Sequence, residues 1–270
     1  MNQAGADTMN PHNGRTYAVT GAASGIGAAI VRYLQERGGR VIACDLGGAD
    51  VVGDLTTTEG RAAVADGVAR LAGGKIDAIV ANAGGGPPET MLALNFFGAV
   101  ATLEGLRPLL KASPAPRAVV TSSISSFAQF DPLLVEACLA GDECAATAAA
   151  GRALAAGKSP PYLYGSAKHA LNRWCRRAAA EPQWAGAGIA LNVIAPGVVD
   201  TPAAAPVLSN PAVSAQIASM VPMRGAYPGK PKQIAALAAW CVSAENALMT
   251  GQILFVDGGF ECLARGERSW

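Results

Sequence analysis

Tyr164 and Lys168 lie four positions apart in the stretch Tyr-Gly-Ser-Ala-Lys. On a helix, residues four apart share one face, so both side chains can point at the same small volume. An ammonium group beside a phenol stabilises the phenolate and lowers the pKa of the phenol from about 10. The pair therefore predicts a proton donor and acceptor, with Tyr164 as the acid–base group.

A glycine-rich turn lies far upstream, where residues 20–27 read TGAASGIG with glycines at 21, 25 and 27. Glycine allows positive φ angles and lets backbone amides approach a pyrophosphate, and the following helix offers its positive N-terminus. Thr20 and Ser24 can hydrogen-bond around this turn. The turn predicts a dinucleotide site, with a simple tight strand–helix connection as the alternative. With the Tyr164–Lys168 pair, it indicates a hydride-transfer enzyme.

Asp45 ends the second predicted strand, where the ribose of an adenosine would lie. A carboxylate there accepts hydrogen bonds from both ribose hydroxyls and repels a 2′-phosphate. No basic residue closely follows Asp45 or lies within the glycine turn, so the sequence favours NAD(H) over NADP(H). The alternative is that Asp45 only caps its strand. Asp54-Leu55 suits adenine contacts, and Asn82-Ala83-Gly84 would bring backbone close to the ribose.

The elements that must position these groups are short apolar runs alternating with helical patterns. Strands are predicted at 17–20, 40–45, 51–54, 77–81, 118–122, 189–194 and 252–256. Helices are predicted at 26–37, 58–71, 96–110, 167–180 and 232–243. Strands that are apolar almost throughout are typical of parallel sheets covered on both sides. The pattern predicts an α/β fold of Rossmann type, a doubly wound, seven-stranded parallel sheet with helices on both faces.

The 270 residues suit one domain, and half of them are apolar. We expect a flexible tail at 1–14 and a single catalytic domain at 15–270. Residues 127–161 break the alternation and predict a helical insertion after the fifth strand. Residues 202–224 predict a lid over the substrate. This lid is small and apolar, with no charge before Arg224, which favours a hydrophobic alcohol or ketone unless these residues merely pack a helix on the core.

The overall composition excludes several classes of function. A net charge of +1 gives no reason to expect nucleic-acid or membrane-surface binding. The six cysteines form no C-x-x-C pair and indicate reduced thiols, although Cys138 and Cys144 are close enough in sequence for a local bridge. Two histidines are too few for a histidine-based metal site or a Ser-His-Asp triad, so no metal is predicted. With no signal segment or membrane span, we expect a cytoplasmic protein.

Two further polar groups complete a known combination of motifs. The fifth strand ends in Thr121-Ser122-Ser123, and Asn95 lies inside a helical pattern. Together with TGAASGIG, Asn82-Ala-Gly and Tyr164-x-x-x-Lys168, these residues resemble the short-chain dehydrogenase/reductase family over about residues 15–259. The resemblance extends to Pro196-Gly197, Thr201 and a late Val-Asp-Gly-Gly.

The resemblance implies a role for each catalytic residue. Tyr164 would protonate the substrate oxygen in reduction or deprotonate the alcohol in oxidation. Lys168 would lower the pKa of Tyr164 and hold the ribose of the nicotinamide. Ser123, preferred here to Ser122, would hydrogen-bond the reacting oxygen. Asn95 would hold a water molecule that relays protons between Lys168 and solvent.

The resemblance also implies the cofactor contacts. Pro196-Gly197 and Thr201 would border the nicotinamide, with Thr201 reaching its carboxamide. The full set implied to contact NAD(H) is Gly21, Ser24, Gly25, Ile26, Gly27, Asp45, Asp54, Leu55, Asn82, Ala83, Gly84, Tyr164, Lys168, Pro196, Gly197, Val199 and Thr201.

Two spacings in the sequence differ from those of many family members. Asn82 and Asn95 are close together, which predicts a trimmed helix between them, and the stretch between Ser123 and Tyr164 is long. The long stretch resembles the bacterial 3α-hydroxysteroid dehydrogenase/carbonyl reductase group, and the short Asp45–Asp54 connection and the run Asn95-Phe-Phe-Gly-Ala also fit that group. The group acts on hydroxysteroids, aldehydes and ketones with NAD(H). The insertion would obstruct the usual tetramer surface and leave a homodimer.

Two other functions remain open from the sequence. One is an acyl-carrier or polyketide ketoreductase, for which Arg173, Arg176 and Arg177 could attract an anionic carrier unless they merely form an exposed helix face. The other is a catalytically silent dinucleotide-binding protein, and the four catalytic residues argue against it.

Overall fold

The computed structural model describes residues 10–267, and their core is a seven-stranded parallel sheet in the order β3-β2-β1-β4-β5-β6-β7. The strands are β1 Thr16–Thr20, β2 Arg40–Asp45, β3 Val51–Val52, β4 Ala78–Ala81, β5 Arg117–Thr121, β6 Ala190–Pro196 and β7 Ile253–Val256. The strand order reverses between β1 and β4, the point at which doubly wound sheets bind ligands. The predicted fold class is confirmed.

Ten α-helices occur in the described part of the chain. They are α1 Gly25–Gln35, α2 Thr58–Ala72, α3 Ala99–Leu106, α4 Pro132–Leu139, α5 Glu143–Ala155, α6 Pro160–Ala179, α7 Ala205–Leu208, α8 Pro211–Ser219, α9 Pro231–Cys241 and α10 Phe260–Arg265. A π-helix at Ala93–Gly98 runs directly into α3, and short 3₁₀ turns follow α3, β5 and β6.

Every strand except β3 contributes to two hydrophobic clusters, because successive side chains point to opposite faces of the sheet. In β3 only Val51 is buried. Val19, Val80 and Ile194 pack on one side with α1 and α9. Their neighbours Ala18 and Ile79 pack on the other side with α2, α3 and α6. The central strands β4, β5 and β6 are buried along their whole length, which explains why the sequence shows continuous apolar runs there.

Two predicted elements differ from the structure. The third strand was expected at 51–54 but pairs only at Val51–Val52, because Asp54 turns the chain by accepting hydrogen bonds from the amide and hydroxyl of Thr56. The helix expected at 96–110 begins earlier as the π-helix and ends as a 3₁₀ turn at Arg107–Leu110. Pro108 explains that ending, since proline cannot donate the hydrogen bond that would continue an α-helix.

The predicted insertion after the fifth strand is confirmed as two helices, α4 and α5. Asp131 and Asp142 cap them, each accepting a hydrogen bond from the backbone amide three residues on. Leu134 and Val135 of α4 are fully buried in the same cluster as α6. The insertion therefore shares the core of the domain.

Residues 1–9 of the expected tail, and residues 268–270 of the expected domain, lie outside the described residues. The expected tail also included residues 10–14, but these pack on the domain. His12 is buried, and its Nδ1 lies 2.8 Å from the hydroxyl of Tyr17. The side-chain Nδ2 of Asn10 donates a hydrogen bond to the backbone carbonyl of Arg37.

Within residues 10–267, no helix has the length and apolar character that crossing a membrane would require. Each of the six cysteines, all within that range, is a free thiol, so Cys138 and Cys144 form no bridge.

Candidate active site

Helix α6 carries both members of the tyrosine–lysine pair and is longer than the predicted 167–180. The Nζ of Lys168 donates to the carbonyl of Thr121 at the end of β5, at 2.9 Å, and lies 5.7 Å from the centre of the Tyr164 ring. Lys168 is 2% exposed, and burial lowers its pKa to about 8. The two side chains thus meet at the carboxyl edge of the sheet, as the four-residue spacing predicts.

The acidity of Tyr164 departs from the sequence prediction. Burial raises its pKa above the ordinary value of a phenol, and a hydrogen bond with Ser123 opposes this shift. The prediction of a pKa lowered by Lys168 is therefore wrong for the structure as it stands. The reason is desolvation, which disfavours charge on both groups and cannot be read from spacing.

Ser123 lies where strand β5 gives way to a 3₁₀ turn. Its hydroxyl accepts a hydrogen bond from the amide of Ser125 at 3.1 Å and also interacts with the Tyr164 hydroxyl. The hydroxyl of Ser122 is buried and has no hydrogen-bond partner among residues 10–267. Of the two serines, Ser123 is the one beside Tyr164, which supports the choice made from the resemblance.

Asn95 sits in the π-helix and is fully buried. Its Oδ1 accepts from the amide of Gly85 at 3.0 Å, and its Nδ2 donates to the carbonyls of Gly85 and Met91 at 2.7 and 2.8 Å. A Cβ on Gly84 would lie 3.0 Å from Asn95 Oδ1 and 3.3 Å from Lys168 Nζ. Asn95 therefore fixes the loop that separates it from Lys168, and π-turns are frequent at functional sites.

The glycine turn connects β1 to α1 with the geometry that the sequence predicts. Gly21 and Gly25 have φ angles of 66° and 53°, which disfavour side chains. A Cβ on Gly27 would fall 1.8 Å from the carbonyl oxygen of Gly21. Ser24 is the N-cap of α1 but makes no side-chain capping bond, and Ile26 in the first turn is half-buried. The turn thus presents backbone and a helix N-terminus, the arrangement that binds phosphates.

Hydrogen bonds join this turn to the end of β5, beside Lys168. Thr20 Oγ1 accepts from the amides of Asn82 and Ala83 at 3.1 and 3.2 Å. Asn82 Nδ2 lies 3.2 and 3.3 Å from the carbonyls of Thr20 and Gly21, and Asn82 Oδ1 accepts from Thr121 Oγ1 at 3.1 Å. A continuous path therefore runs from Lys168 through Thr121 and Asn82 to the glycine turn.

The adenosine side of the candidate site is formed by the ends of β2 and β3. The carboxylate of Asp45 accepts from the amides of Ala23 and Leu46 at 2.8 and 2.7 Å, so its charge lies against the glycine turn. Leu55 is buried, while Asp54 is occupied with its own turn at Thr56. Both carboxylates thus use part of their acceptor capacity on nearby donors, and that of Asp45 does so at the glycine turn.

The segment after β6 lies against the glycine turn from the other side. The amide of Gly197, directly after Pro196, donates to the carbonyl of Val256, and Val199 forms a bridge to Gly229. A Cβ on Gly25 would lie 3.2 Å from the methyl group of Thr201. The structure therefore brings the predicted nicotinamide side next to the turn.

A cavity of about 120 Å³ opens beside the ends of β6 and β7. Its apolar lining includes Ile124, Ile217, Val221, Met223, Tyr227 and Phe260. Three of these belong to the predicted lid at 202–224. Sequence reasoning missed the other three, because nothing in the local pattern shows that residues from three distant segments share one cavity.

The three arginines after Lys168 are engaged with neighbouring elements. Arg173 forms an ion pair with Glu136 of α4 at 2.7 Å, and Arg177 donates to the carbonyl of Leu139 at 3.1 Å. Arg176 donates to the carbonyl of Gly251 at 3.4 Å. All three arginines are exposed on α6, as the alternative of an exposed helix face predicts, and two of them also bond to the insertion, a contact that the sequence did not reveal.

Comparison with known proteins agrees with this fold. Residues 21–261 match the family model described as enoyl-(acyl carrier protein) reductase. The chain belongs to the short-chain dehydrogenase/reductase family of oxidoreductases.

Individual relatives are similar over nearly the whole chain. The 3α-hydroxysteroid dehydrogenase/carbonyl reductase of Comamonas testosteroni is 35% identical over 255 residues, covering 92% of this chain and 96% of that protein. A tropinone reductase homolog of Arabidopsis thaliana is 30% identical over 267 residues, covering 92% and 93%. The crystal structure of the 3α-hydroxysteroid dehydrogenase from Pseudomonas sp. B-0831, complexed with NADH, superposes with a TM-score of 0.85 at 34% identity, covering 93% and 99%.

Proposed function

We propose that the protein is an NAD(H)-dependent oxidoreductase that interconverts a hydrophobic secondary alcohol and its ketone. The observation that carries the proposal is the meeting of Ser123, Tyr164 and Lys168 at the carboxyl edge of β5, joined by hydrogen bonds to the glycine turn. Asn95 lies on the other side of Gly84 from Lys168.

The residues present fit a dinucleotide cofactor. Gly27 leaves room for backbone only, and the N-terminus of α1 faces the turn where a pyrophosphate would bind. Asp45 would accept hydrogen bonds from the adenosine ribose, and its charge disfavours the 2′-phosphate of NADP(H). The NADH in the related Pseudomonas structure supports the same cofactor. When bound, NAD(H) supplies or accepts the hydride.

Tyr164 would handle the proton at the reacting oxygen. In reduction its hydroxyl gives a proton to the oxygen of the ketone, and in oxidation the phenolate takes the proton of the alcohol. Ser123 would donate a hydrogen bond to the same oxygen and stabilise the charge that develops there. Lys168 would hold the nicotinamide ribose, with Asn95 supporting a proton path to solvent. Positioned acid–base help of this kind contributes roughly 10²–10⁴-fold to the rate.

The cavity beside β6 and β7 supports an apolar substrate. Its lining is apolar except at a few groups, and two of these are already engaged, because Asp257 accepts from two backbone amides and Gln233 from the amide of Lys230. We propose residues 202–224 as its lid. The particular substrates proposed are 3α-hydroxysteroids or aromatic carbonyl compounds, and the name of the Comamonas testosteroni relative, a 3α-hydroxysteroid dehydrogenase/carbonyl reductase, supports these two classes in general terms.

An acyl-carrier ketoreductase is the less favoured alternative. The family model bears the name of an acyl-carrier enzyme, but Arg173 and Arg177 are tied to α4. Arginines engaged in this way offer a weak docking surface for an acidic carrier. A thioester substrate nevertheless belongs in the assay.

We further propose a homodimer in the cytoplasm. Helix α4 covers the outer side of α6, whereas β7 is an edge strand with every residue partly exposed. Pairing through β7 and α10 would cover that edge. The free thiols agree with a reducing compartment. A clean tetramer in light scattering would argue against the dimer.

The experiment follows NADH and NADPH consumption, and NAD reduction, with the purified protein. Its panel contains 3-ketosteroids, 3α-hydroxysteroids, aryl ketones, their alcohols and an acetoacetyl thioester. We expect NADH-dependent turnover of a ketone and its loss by at least about 10²-fold in Y164F, with NADH binding retained. The control Y162F alters a partly exposed tyrosine of the same helix and should keep its activity. Undiminished turnover by Y164F would sink the proposed role, and NADPH-dependent thioester reduction would favour the alternative.

A further inference from the structure

Arg61 in helix α2 makes more directed contacts than an ordinary surface arginine. Its Nε donates to the carbonyl of Leu55 at 2.8 Å, and its Nη2 donates to the carbonyl of Ala93 at 2.9 Å. Its Nη1 and Nη2 also form a bidentate pair with the carboxylate of Glu143, at 2.7 and 2.8 Å. The Arg61 side chain is only 12% exposed. One guanidinium thus joins three segments that are distant in sequence.

Two of these segments belong to the candidate site. Leu55 lies in the loop after β3, on the adenosine side, and Ala93 is the first residue of the π-helix that carries Asn95. The same two segments touch directly, since a Cβ on Gly98 would lie 2.9 Å from the carbonyl oxygen of Leu55. We call the loop after β3, residues 53–57, the cofactor loop. Arg61 therefore bonds to both sides of a close backbone contact between the cofactor loop and the π-helix.

The third segment is the insertion. Glu143 is the first residue of α5, and its carboxylate accepts both ends of the Arg61 fork. A bidentate arginine–carboxylate pair fixes orientation as well as distance. The same rigid, planar guanidinium binds both Glu143 and the carbonyls of Leu55 and Ala93, so a shift of α5 would also shift the bonds to these two carbonyls.

We propose that Arg61, oriented by Glu143, is a positioning residue that couples the insertion to the cofactor loop and to Asn95. Through Leu55 it holds the adenosine side in its binding geometry. Through Ala93 it holds the π-helix, and so the bonds by which Asn95 fixes the Gly85 backbone. The link to cofactor binding rests on the proposed function, whereas the link among the three segments does not.

The test compares R61K and E143Q with R173K. Lysine keeps the charge at position 61 but cannot bond to three partners in one plane. E143Q keeps both carbonyl bonds of Arg61 and removes the charge of the bidentate partner. R173K is the matched control, because Arg173 of α6 also forms an ion pair with the insertion, but with the exposed Glu136 of α4 instead of Glu143.

Three readouts separate positioning from simple support. They are the Kd for NADH by fluorescence titration, the pH profile of kcat, and amide hydrogen exchange at residues 53–57 and 91–98 in the free protein. In R61K we expect the Kd to rise about tenfold, equal to about 1.4 kcal/mol. We also expect a shifted pH profile and faster exchange in both peptides. E143Q should show the same changes at about threefold, and R173K none.

The other possible results each decide whether Arg61 is a positioning residue. Wild-type Kd and wild-type exchange in R61K would overturn the inference, as would equal changes in R173K. If R61K does not fold, E143Q decides by the same criteria. If the wild-type protein binds no NADH, the proposed function fails, and the exchange data alone judge whether Arg61 couples the three segments.

Discussion

Gly27 approaches Gly21 so closely that a methyl group on its α-carbon would fall 1.8 Å from the Gly21 carbonyl oxygen. The same methyl group would lie 2.7 Å from Nδ2 of Asn82, which binds that carbonyl. The first turn of α1 is thus pressed onto the loop before it. No side chain fits at position 27 without moving the backbone of the glycine turn.

We therefore expect G27A to lose NADH binding by at least about tenfold and to lower the free energy of unfolding. Overpacking of this kind typically costs about 1–3 kcal/mol. Isothermal titration with NADH and denaturant unfolding measure the two effects. G151A is the matched control, since Gly151 lies in α5 with no atom near its missing Cβ. That variant should gain about 0.5–1 kcal/mol and keep its affinity. Normal NADH affinity in G27A would contradict the assigned turn.

The acidity of Tyr164 predicts the pH dependence of the two reaction directions. Burial raises its pKa, so alcohol oxidation, which needs the phenolate, should increase into the alkaline range, while ketone reduction declines there. The Ser123 hydrogen bond lowers the pKa, so S123A should move both profiles to higher pH. It should also slow the reaction by about 10²-fold, because a donor to the reacting oxygen is lost. Rate profiles of kcat/KM test this, with S125A as the control. A shift to lower pH would refute the assignment.

Asp45 should control the choice between the two cofactors. Two like charges about 4 Å apart repel by roughly 1–4 kcal/mol in water-exposed sites, so D45S should raise kcat/KM with NADPH by about tenfold or more. Affinity for NADH should fall in the same variant. D50N alters a neighbouring carboxylate that binds the amide of Ala43 and should leave the cofactor ratio unchanged. An unchanged ratio in D45S would remove Asp45 from the ribose site.

The insertion should unfold together with the rest of the domain. Leu134 of α4 is fully buried, and L134A should cost about 2–5 kcal/mol in the free energy of unfolding. Leu133 is 68% exposed, so L133A should change it by no more than about 0.5 kcal/mol. Both are measured by denaturant unfolding monitored at two probes. A separate early transition in L134A would show that the insertion is an independent unit.

The features that were predictable from the sequence are local. The glycine turn, the helical spacing of Tyr164 and Lys168, and the apolar strands each follow from a short pattern with one physical cause. The parallel arrangement then brings the strand ends to one edge of the sheet. This is why Ser123 and Lys168 could be placed together before the structure was known.

The features that could not be predicted depend on distant partners. Arg61 meets Glu143 across 82 positions, and no local pattern announces such a pair. The π-helix around Asn95 looks like an ordinary helix in sequence. The predicted direction of the Tyr164 pKa shift was wrong, because the degree of burial is a property of the packed domain. The contacts of Arg173 and Arg177 likewise exist only once α4 lies on α6.

The path from Lys168 through Thr121 and Asn82 to Gly21 has a thermodynamic consequence. Every link in it uses backbone or a side chain that is already held in place, with donor–acceptor distances of 2.9–3.3 Å. The spacing between Lys168 and the glycine turn is thus set before any ligand arrives. Binding should then lose little conformational entropy at this part of the site, so more of the interaction energy is available as affinity.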